Sequence, residues 1–240
     1  MRRVLFVDLD DTLFHSRRKR APGPGTEAVA WASDGTADSF MTAQQRAFFD
    51  WVIEGSEVVP TTGRNVAAYR RVGLPFVGWA ICSFGGVILG PDGVSDARWR
   101  GRIAPMALAH SPALHALVEA ALAASGSVNV RARVIEDDGL PLYLSVKTED
   151  EAGLDALAST LREQLPIGWR VHVNARNLAV MPPFLGKEHA VGWFIENVCG
   201  PDALVIGAAD SLSDAPFLAA CDYALLPCPS QLLARLFEAP

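Results

Sequence analysis

Cysteine, aromatic residues and long apolar runs are all scarce in this chain. Four of its 240 residues are cysteine, and 8% are aromatic. No CxxC pair occurs and the cysteine spacing does not match that of zinc ligands, so a structural zinc site is not indicated. No continuous apolar run reaches the roughly 18 residues that cross a bilayer, and residues 4–7 are too few for the apolar part of a signal peptide. We therefore expect reduced thiols, a cytoplasmic location and no membrane partner.

Positive charge is also in deficit. The chain has 21 Lys and Arg against 27 Asp and Glu, giving a net charge of −6. This balance argues against the basic footprint of a nucleic-acid-binding protein. Half of the residues are apolar and one fifth are charged, which is typical of a globular chain with a sizeable core. A chain of this length forms either one large domain or two smaller ones.

Apolar runs and turn signals predict an interrupted framework of alternating strands and helices. Residues 4–7 form a short Val-rich and Phe-containing run, typical of a strand buried on both faces of a parallel sheet. Residues 13–40 are basic, then rich in Pro and Gly, and are expected to form a loop. Further strands are predicted at 58–60, 79–83, 87–89, 203–206 and 223–226. Helices are predicted at 42–54, 65–72, 189–197 and 215–220.

A different pattern occupies the middle of the chain. Helices are predicted at 108–124 and 154–165, and paired strands at 128–135 with 142–146 and at 171–174 with 178–181. Asp138-Gly139 suits the turn of the first hairpin. The order is αββαββ, enough for a small α+β domain. We predict an α/β protein in which residues 101–183 form an inserted domain and residues 1–100 and 184–240 form the domain around it.

Polar side chains follow the predicted strands of the surrounding domain. In an open parallel sheet the carboxyl ends of the strands face one crevice, so these residues are expected to meet. Asp8, Asp10 and Asp210 offer oxygen ligands for Mg²⁺. Lys187 and a threonine hydroxyl would bind anionic oxygens. A carboxylate nucleophile, a metal ion and a lysine together suit phosphoryl transfer through an aspartyl phosphate. The converging residues are Asp8, Asp10, Thr12, Thr61, Thr62, Lys187, Asp210 and Asp214.

These motifs resemble those of the haloacid dehalogenase (HAD) superfamily. Asp8-Leu9-Asp10-Asp11-Thr12 resembles motif I, and Thr62-Gly63-Arg64 is similar to motif II of the Cof-type and sugar-phosphate branches. Lys187 resembles motif III, and Asp210-Ser211-Leu212-Ser213-Asp214 resembles motif IV. The αββαββ insert is similar to the C2B cap of sucrose-phosphate, trehalose-phosphate and Cof-type phosphatases and of phosphomannomutases. The resemblance covers the whole chain and implies a Rossmann-like HAD core with an inserted cap.

The resemblance also implies roles for individual residues. Asp8 would attack phosphorus as the nucleophile, and Asp10 would protonate the leaving oxygen and then deprotonate water. Mg²⁺ would be held by the Asp8 carboxylate, the Asp10 carbonyl and Asp210. Thr62 and Lys187 would bind the oxygens of the transferring phosphoryl group.

Several neighbours are expected to have smaller parts in the site. Asp214 would orient Lys187 or waters at the metal. Thr61 competes with Thr62, which is favoured because it directly precedes Gly63. Arg64 is interpreted as a surface residue at a helix start, and Asp11 as a solvated neighbour. Further possible members of the site are Thr12, Gly63, Arg64 and Ser211.

Three features depart from the family pattern. Ala209 stands before Asp210 where the family has Gly, and would be strained if the backbone there were left-handed. Glu188 follows Lys187 where Gly is usual, and an acid suits the start of a helix. Phe84-Gly85-Gly86 occupies the place where Cof-type relatives often have Asn-Gly.

The sequence thus predicts a Mg²⁺-dependent phosphatase acting on a small phosphate monoester, with a sugar phosphate as the favoured substrate. A phosphomutase of the phosphomannomutase type would have the same core and a similar cap. A binder of phosphorylated ligands without turnover, and a receiver-like phosphoacceptor, are the non-enzymatic alternatives. The receiver fold needs only about half this length and lacks a late Asp-x-x-x-Asp. The pattern indicates neither the physiological substrate nor the oligomeric state.

Overall fold

The computed structural model describes residues 1–237, which form two compact units. The core unit contains Met1–Asp96 and the chain from Lys187 onward, and the inserted unit is Ala97–Gly186. The sequence placed the two boundaries at 100/101 and 183/184, a few residues inside those of the structure. The predicted α/β class with an inserted αββαββ unit is confirmed.

A parallel four-stranded sheet forms the centre of the core unit. Its order is β13-β12-β1-β5. The central strand β1 is buried along the whole run from Val4 to Val7, which explains why that run is entirely apolar. Val7 pairs with Ala208 on one side and Pro60 on the other, so three strands end at the same edge. The strands are β1 (Arg3–Val7), β5 (Glu57–Pro60), β12 (Leu204–Ala208) and β13 (Tyr223–Leu225).

Two helices of the core unit begin at side chains that cap them. Thr42 and Gln45 form a reciprocal capping box at the first helix, and Asn65 caps the second, which is only four residues long instead of the predicted eight. A 3-10 turn, Leu212–Asp214, precedes the helix that follows β12. A π-helical turn, Ile195–Cys199, ends the predicted 189–197 helix. The helices are α1 (Ala43–Gly55), α2 (Val66–Tyr69), α5 (Lys187–Phe194), α6 (Ala215–Leu218) and α7 (Gln231–Phe237).

The prediction of a loop at residues 13–40 is wrong. This segment contains a three-stranded antiparallel sheet of order β2-β4-β3, here called the flap sheet. Its strands are β2 (His15–Ser16), β3 (Glu27–Trp31) and β4 (Ala37–Met41). Val29 and Met41 anchor it in the core, whereas the residues between the strands are polar and exposed. The short apolar stretches give too weak a periodic signal to be separated from a loop.

A short hairpin lies beside β5. Its strands are β6 (Ala80–Cys82) and β7 (Val87–Leu89), and Thr61 forms a parallel bridge with Ile81. The turn between the strands is left-handed at three consecutive residues, Ser83, Phe84 and Gly85. Such a run is costly for residues with a side chain and is found mainly where other contacts fix the backbone.

The inserted unit is an antiparallel sheet covered on one face by two helices. The strand order is β10-β11-β9-β8. Leu114, Leu144 and Leu161 belong to the buried cluster between the sheet and its helices. Arg131 and Arg133, at alternate positions of β8, are exposed. The elements are α3 (Ala97–Ala124), β8 (Val130–Asp137), β9 (Leu140–Thr148), α4 (Glu151–Gln164), β10 (Arg170–Asn174) and β11 (Asn177–Met181).

Helix α3 is longer than the sequence predicted. It starts at Ala97 instead of Leu108 and continues through Pro105 and Pro112. By length and mean hydropathy, 1.2 over 18 residues, it meets the criteria for crossing a membrane. The helix is not one continuous apolar run, because Arg102 and Glu119 lie within it. Only 22% of this 18-residue window is buried, and one face of α3 packs against β9 and β8.

The packing of α3 predicts different costs for the same substitution at two positions. Leu114 is fully buried and Leu108 is 60% exposed. Leu114→Ala should lower the free energy of unfolding by about 3 kcal/mol, since it leaves a cavity. Leu108→Ala should change it by less than about 0.5 kcal/mol. Chemical denaturation in detergent-free buffer measures both, and equal losses at the two positions would contradict this packing.

Candidate active site

Four acidic or basic side chains meet beyond the carboxyl ends of β1 and β12. Lys187 Nζ lies 2.6 Å from Asp8 Oδ1 and 2.8 Å from Asp214 Oδ1. Carboxylate oxygens of Asp8, Asp210 and Asp214 all lie within 4.8 Å of one another. Thr12 Oγ1 is 3.3 Å from Asp8 Oδ2 and 3.4 Å from Asp210 Oδ1. All of these residues are buried, so the predicted convergence is found for Asp8, Thr12, Lys187, Asp210 and Asp214.

Backbone geometry explains how the first motif presents its side chains. The Asp8 N–H donates to the Ala208 carbonyl at 2.9 Å, which extends the β1–β12 ladder to the site. The chain then turns back, because Leu13 N and Phe14 N both donate to the Leu9 carbonyl. This turn brings the Thr12 hydroxyl back to the carboxylate of Asp8, which is the first residue after the strand.

Lys187 is the first residue of α5 and only 7% exposed. Burial lowers the pKa of the Lys187 ammonium, but Asp214 and Asp8 outweigh burial, so the pKa is raised and the group is charged. Its Nζ also lies 5.6 Å from the centre of the Phe217 ring. The lysine is therefore held between two carboxylates, with an aromatic face as a third contact.

Negative charge exceeds positive charge in this cluster. Burial raises the pKa of Asp8 to about 8; Lys187 opposes this shift, whereas Asp214 and Asp10 add to it. Burial, Asp11 and Asp214 raise the pKa of Asp210 to about 6. Three buried carboxylates facing one ammonium favour binding of a cation. The donor set of carboxylate oxygens fits a hard divalent ion.

Asp10 does not share this cluster through its side chain. Its two carboxylate oxygens accept from Arg64, Oδ2 from Nε at 2.8 Å and Oδ1 from Nη2 at 2.6 Å. The role expected for Asp10 at the metal uses its backbone carbonyl and not this carboxylate, and among side chains Asp214 stands beside Asp8 and Asp210. The carboxylate of Asp10 is drawn away by the guanidinium, because a bidentate pair is among the strongest polar contacts.

Arg64 is not the surface residue that the sequence suggested. Its side chain is 17% exposed, lies over the Phe14 ring at 5.2 Å and donates to Ser39 Oγ at 3.2 Å. Ser39 is on β4, so the flap sheet contributes to holding Arg64. This contact was missed because residues 13–40 were expected to be a loop.

The two threonines after β5 differ in how their hydroxyls are used. Thr61 Oγ1 donates to its own strand, at the Val59 carbonyl, 3.1 Å away. Thr62 Oγ1 instead accepts from the Arg64 N–H at 3.1 Å, which leaves its proton available for an anion. The choice of Thr62 over Thr61 therefore has a geometric basis.

Gly63 is required by close packing. A Cβ added there would lie 2.5 Å from Cε1 and Cζ of the Phe84 ring. The left-handed turn that carries Phe84 also donates two backbone hydrogen bonds to this loop, from Ser83 N to the Arg64 carbonyl and from Phe84 N to the Thr62 carbonyl. The Phe84-Gly85-Gly86 departure noted in the sequence is therefore part of the support of the Thr62 loop.

Other sequence expectations have mixed outcomes. Asp11, expected to be a solvated neighbour, is partly exposed and forms an ion pair with Lys19. The Ser211 hydroxyl lies 2.6 Å from Ser213 Oγ and is not among the contacts of the cluster. Ala209 is fully buried and its backbone is not left-handed, so the strain feared for this position does not arise. Glu188 lies in the first turn of α5, as expected for an acid at a helix start.

Comparisons with known proteins show the fold. No family model matches the chain, and no curated protein does. Among solved structures, it is similar to the sucrose-phosphatase of Synechocystis sp. PCC6803 in complex with sucrose and phosphate, with a TM-score of 0.56, 16% identity and coverage of 99% of this chain and 88% of that chain. The C-terminal domain of trehalose-6-phosphate phosphatase from C. albicans has a TM-score of 0.52 and 14% identity, and the match covers 91% of this chain and 73% of that chain. A haloacid dehalogenase-like hydrolase from B. subtilis has a TM-score of 0.53 and 12% identity, and the match covers 93% of this chain and 94% of that chain.

The chain therefore has the fold of the haloacid dehalogenase-like hydrolases, and the likeness extends over the core unit and the inserted unit. At these identities the likeness defines architecture, and the chemistry has to be argued from the residues themselves.

The raised pKa values predict pH-dependent binding of a divalent cation. Asp8, with a pKa of about 8, and Asp210, with a pKa of about 6, must lose protons to act as ligands. Affinity for Mg²⁺ should rise by about tenfold per pH unit near neutrality, and binding should release about one proton. Calorimetric titration with MgCl₂ in two buffers of different ionisation enthalpy measures both.

The control is Asp50→Asn, an exposed acid on α1, which should leave the titration unchanged. An affinity for Mg²⁺ that does not vary between pH 6 and 8 would contradict the assignment of these buried carboxyls as ligands.

Proposed function

We propose that this protein is a Mg²⁺-dependent phosphohydrolase that cleaves a small phosphate monoester, a sugar phosphate, through an aspartyl phosphate formed on Asp8. The observation that carries the proposal is the contact of Lys187 with both Asp8 and Asp214, beside Asp210. The names of two structural neighbours, a sucrose-phosphatase bound to sucrose and phosphate and a trehalose-6-phosphate phosphatase, support a sugar phosphate as substrate.

The chain's own residues divide the reaction between them. An Asp8 oxygen attacks phosphorus while the bond from phosphorus to the ester oxygen breaks, and Asp10 gives that leaving oxygen its proton. Water then attacks the phosphorus of the aspartyl phosphate, Asp10 accepts the water's proton, and inorganic phosphate leaves with Asp8 restored. Lys187 and the Thr62 hydroxyl hold the phosphoryl oxygens during both displacements.

The cation site complements these groups. Mg²⁺ held by Asp8 and Asp210 would neutralise the crowded carboxylates and withdraw charge from the phosphoryl oxygens. Asp214 keeps Lys187 in place from the other side. We assign the inserted unit the role of a C2B-type cap.

Arg64 is a positioning residue in this scheme. Its two hydrogen bonds fix both oxygens of Asp10, and its contacts with Ser39 and the Phe14 ring fix Arg64 in turn. A carboxyl that must transfer protons at a defined oxygen benefits from such a restraint. Gly63 and Phe84 restrain the adjacent Thr62 in the same way.

Release of phosphate tests the proposal directly. In the presence of MgCl₂, the protein should hydrolyse p-nitrophenyl phosphate and members of a sugar-phosphate panel. Asp8→Asn should lower kcat by about 10³-fold or more, because an amide cannot serve as the nucleophile. Asp50→Asn, the same change at an exposed acid, should retain wild-type turnover.

Three results would count against it. Hydrolysis that survives Asp8→Asn would exclude the aspartyl phosphate, and an isomerised sugar phosphate in place of inorganic phosphate would identify a mutase. Binding of phosphate esters with no turnover on any substrate would identify a non-catalytic binder.

Substitution of Arg64 tests the positioning of Asp10. Arg64→Gln should lower kcat by about 10- to 100-fold with little change in KM, since the arginine orients the acid and does not hold the phosphate. Arg70→Gln, at an exposed arginine six residues further along, is the matched control and should have no effect on kcat. A rise in KM without a fall in kcat would instead place Arg64 on the substrate.

A further inference from the structure

A basic loop begins directly after β2. It opens with four consecutive cations, Arg17, Arg18, Lys19 and Arg20, all exposed, in a chain whose net charge is −6. This concentration of positive charge is the reverse of the chain's overall balance. A run of like charges on a surface repels itself, so its presence calls for an explanation in terms of what it faces.

Backbone hydrogen bonds fix the start of this loop on the flap sheet. Arg17 N donates to the Asp38 carbonyl at 2.8 Å, and Lys19 N and Arg20 N both donate to the Ser16 carbonyl at 3.1 Å. The four side chains therefore extend from an ordered turn and not from a freely moving segment.

Lys19 connects this turn to the candidate active site. Its ammonium forms an ion pair with Asp11, the residue between Asp10 and Thr12. Lys19 thus places this turn beside the segment that carries Asp10 and Thr12.

The charges of this loop exceed what a single phosphoryl group needs. Lys187 already contacts Asp8, and Arg64 donates hydrogen bonds from Nε and Nη2 to Asp10. Within residues 1–237, Arg17, Arg18 and Arg20 form no ion pair. Guanidinium groups bind carboxylates and phosphates in preference to neutral hydroxyls, with paired hydrogen bonds.

We propose that Arg17, Arg18 and Arg20 bind a second anionic group of the substrate, a carboxylate or a second phosphate. The inference rests on the proposed function and narrows it from phosphate monoesters in general to esters that carry another negative charge. Lys19 keeps the loop turned toward the site through its pair with Asp11.

Pairs of substrates that differ in one anionic group test this proposal. The first pair is 3-phosphoglycerate and glycerol 3-phosphate, which differ by a carboxylate. The second is fructose 1,6-bisphosphate and fructose 6-phosphate, which differ by a phosphate. We expect kcat/KM to favour one of the doubly anionic substrates over its partner by about tenfold or more, because several exposed ion pairs act together. The pair with the larger ratio identifies the kind of anion.

A triple variant removes the charges without touching the machinery assigned above. Arg17→Gln, Arg18→Gln and Arg20→Gln combined should reduce the preference to about unity, mainly through KM, and leave kcat for glycerol 3-phosphate unchanged. Arg3→Gln, Arg70→Gln and Arg162→Gln combined remove the same number of charges at exposed arginines and are the control for net charge. Unchanged ratios, or an equal loss on all four substrates, would overturn the proposal and indicate unspecific attraction.

A binding measurement separates failure of this inference from failure of the proposed function. If the wild-type protein hydrolyses neither these four compounds nor p-nitrophenyl phosphate and the sugar-phosphate panel, the phosphohydrolase proposal falls. In that case, the affinities of the Asp8→Asn protein for the same four compounds, measured by calorimetry, still test whether the basic loop binds a second anionic group. Tighter binding of the doubly anionic member that is lost in the triple variant supports the site, and equal affinities for both members of each pair exclude it.

Discussion

Charge compensation around Lys187 is the constraint on which the site depends. A buried ammonium is costly unless it is paired, and here it has Asp8 on one side and Asp214 on the other. Burial and neighbouring acids, only partly opposed by Lys187, raise the pKa of both Asp8 and Asp210, and the cluster has more carboxylates than cations. The charges of the cluster do not balance without ligands, and they would balance when a divalent cation and a phosphoryl group bind together.

Elements outside the central sheet hold the remaining groups in position. The flap sheet supplies Ser39 to Arg64, and Arg64 holds Asp10. The left-handed turn after β6 fixes the Thr62 loop by two backbone hydrogen bonds and by the Phe84 ring against Gly63. Strain at Ser83 and Phe84 is thus stored where it restrains a loop of the candidate site.

The sequence predicted best where one local pattern decides the structure. The buried run of β1, the Asp8 motif after it and the αββαββ order each follow from a continuous signal. Long-range contacts were missed: the pair of Arg64 with Asp10 joins residues 54 positions apart, and its strength depends on a flap sheet made of very short strands. The helix predicted at 108–124 begins after Pro105, which favours a helix end locally, whereas α3 continues through Pro105 and packs against β9.

A crystal structure with MnCl₂ and orthovanadate would test the central claim most directly, since the anomalous signal of manganese locates the cation. We expect one manganese peak in contact with carboxylate oxygens of Asp8 and Asp210, the vanadate in line with an Asp8 oxygen, and Lys187 still between Asp8 and Asp214. Manganese bound elsewhere, or vanadate seated away from Asp8 with Lys187 turned out of the cluster, would contradict the account.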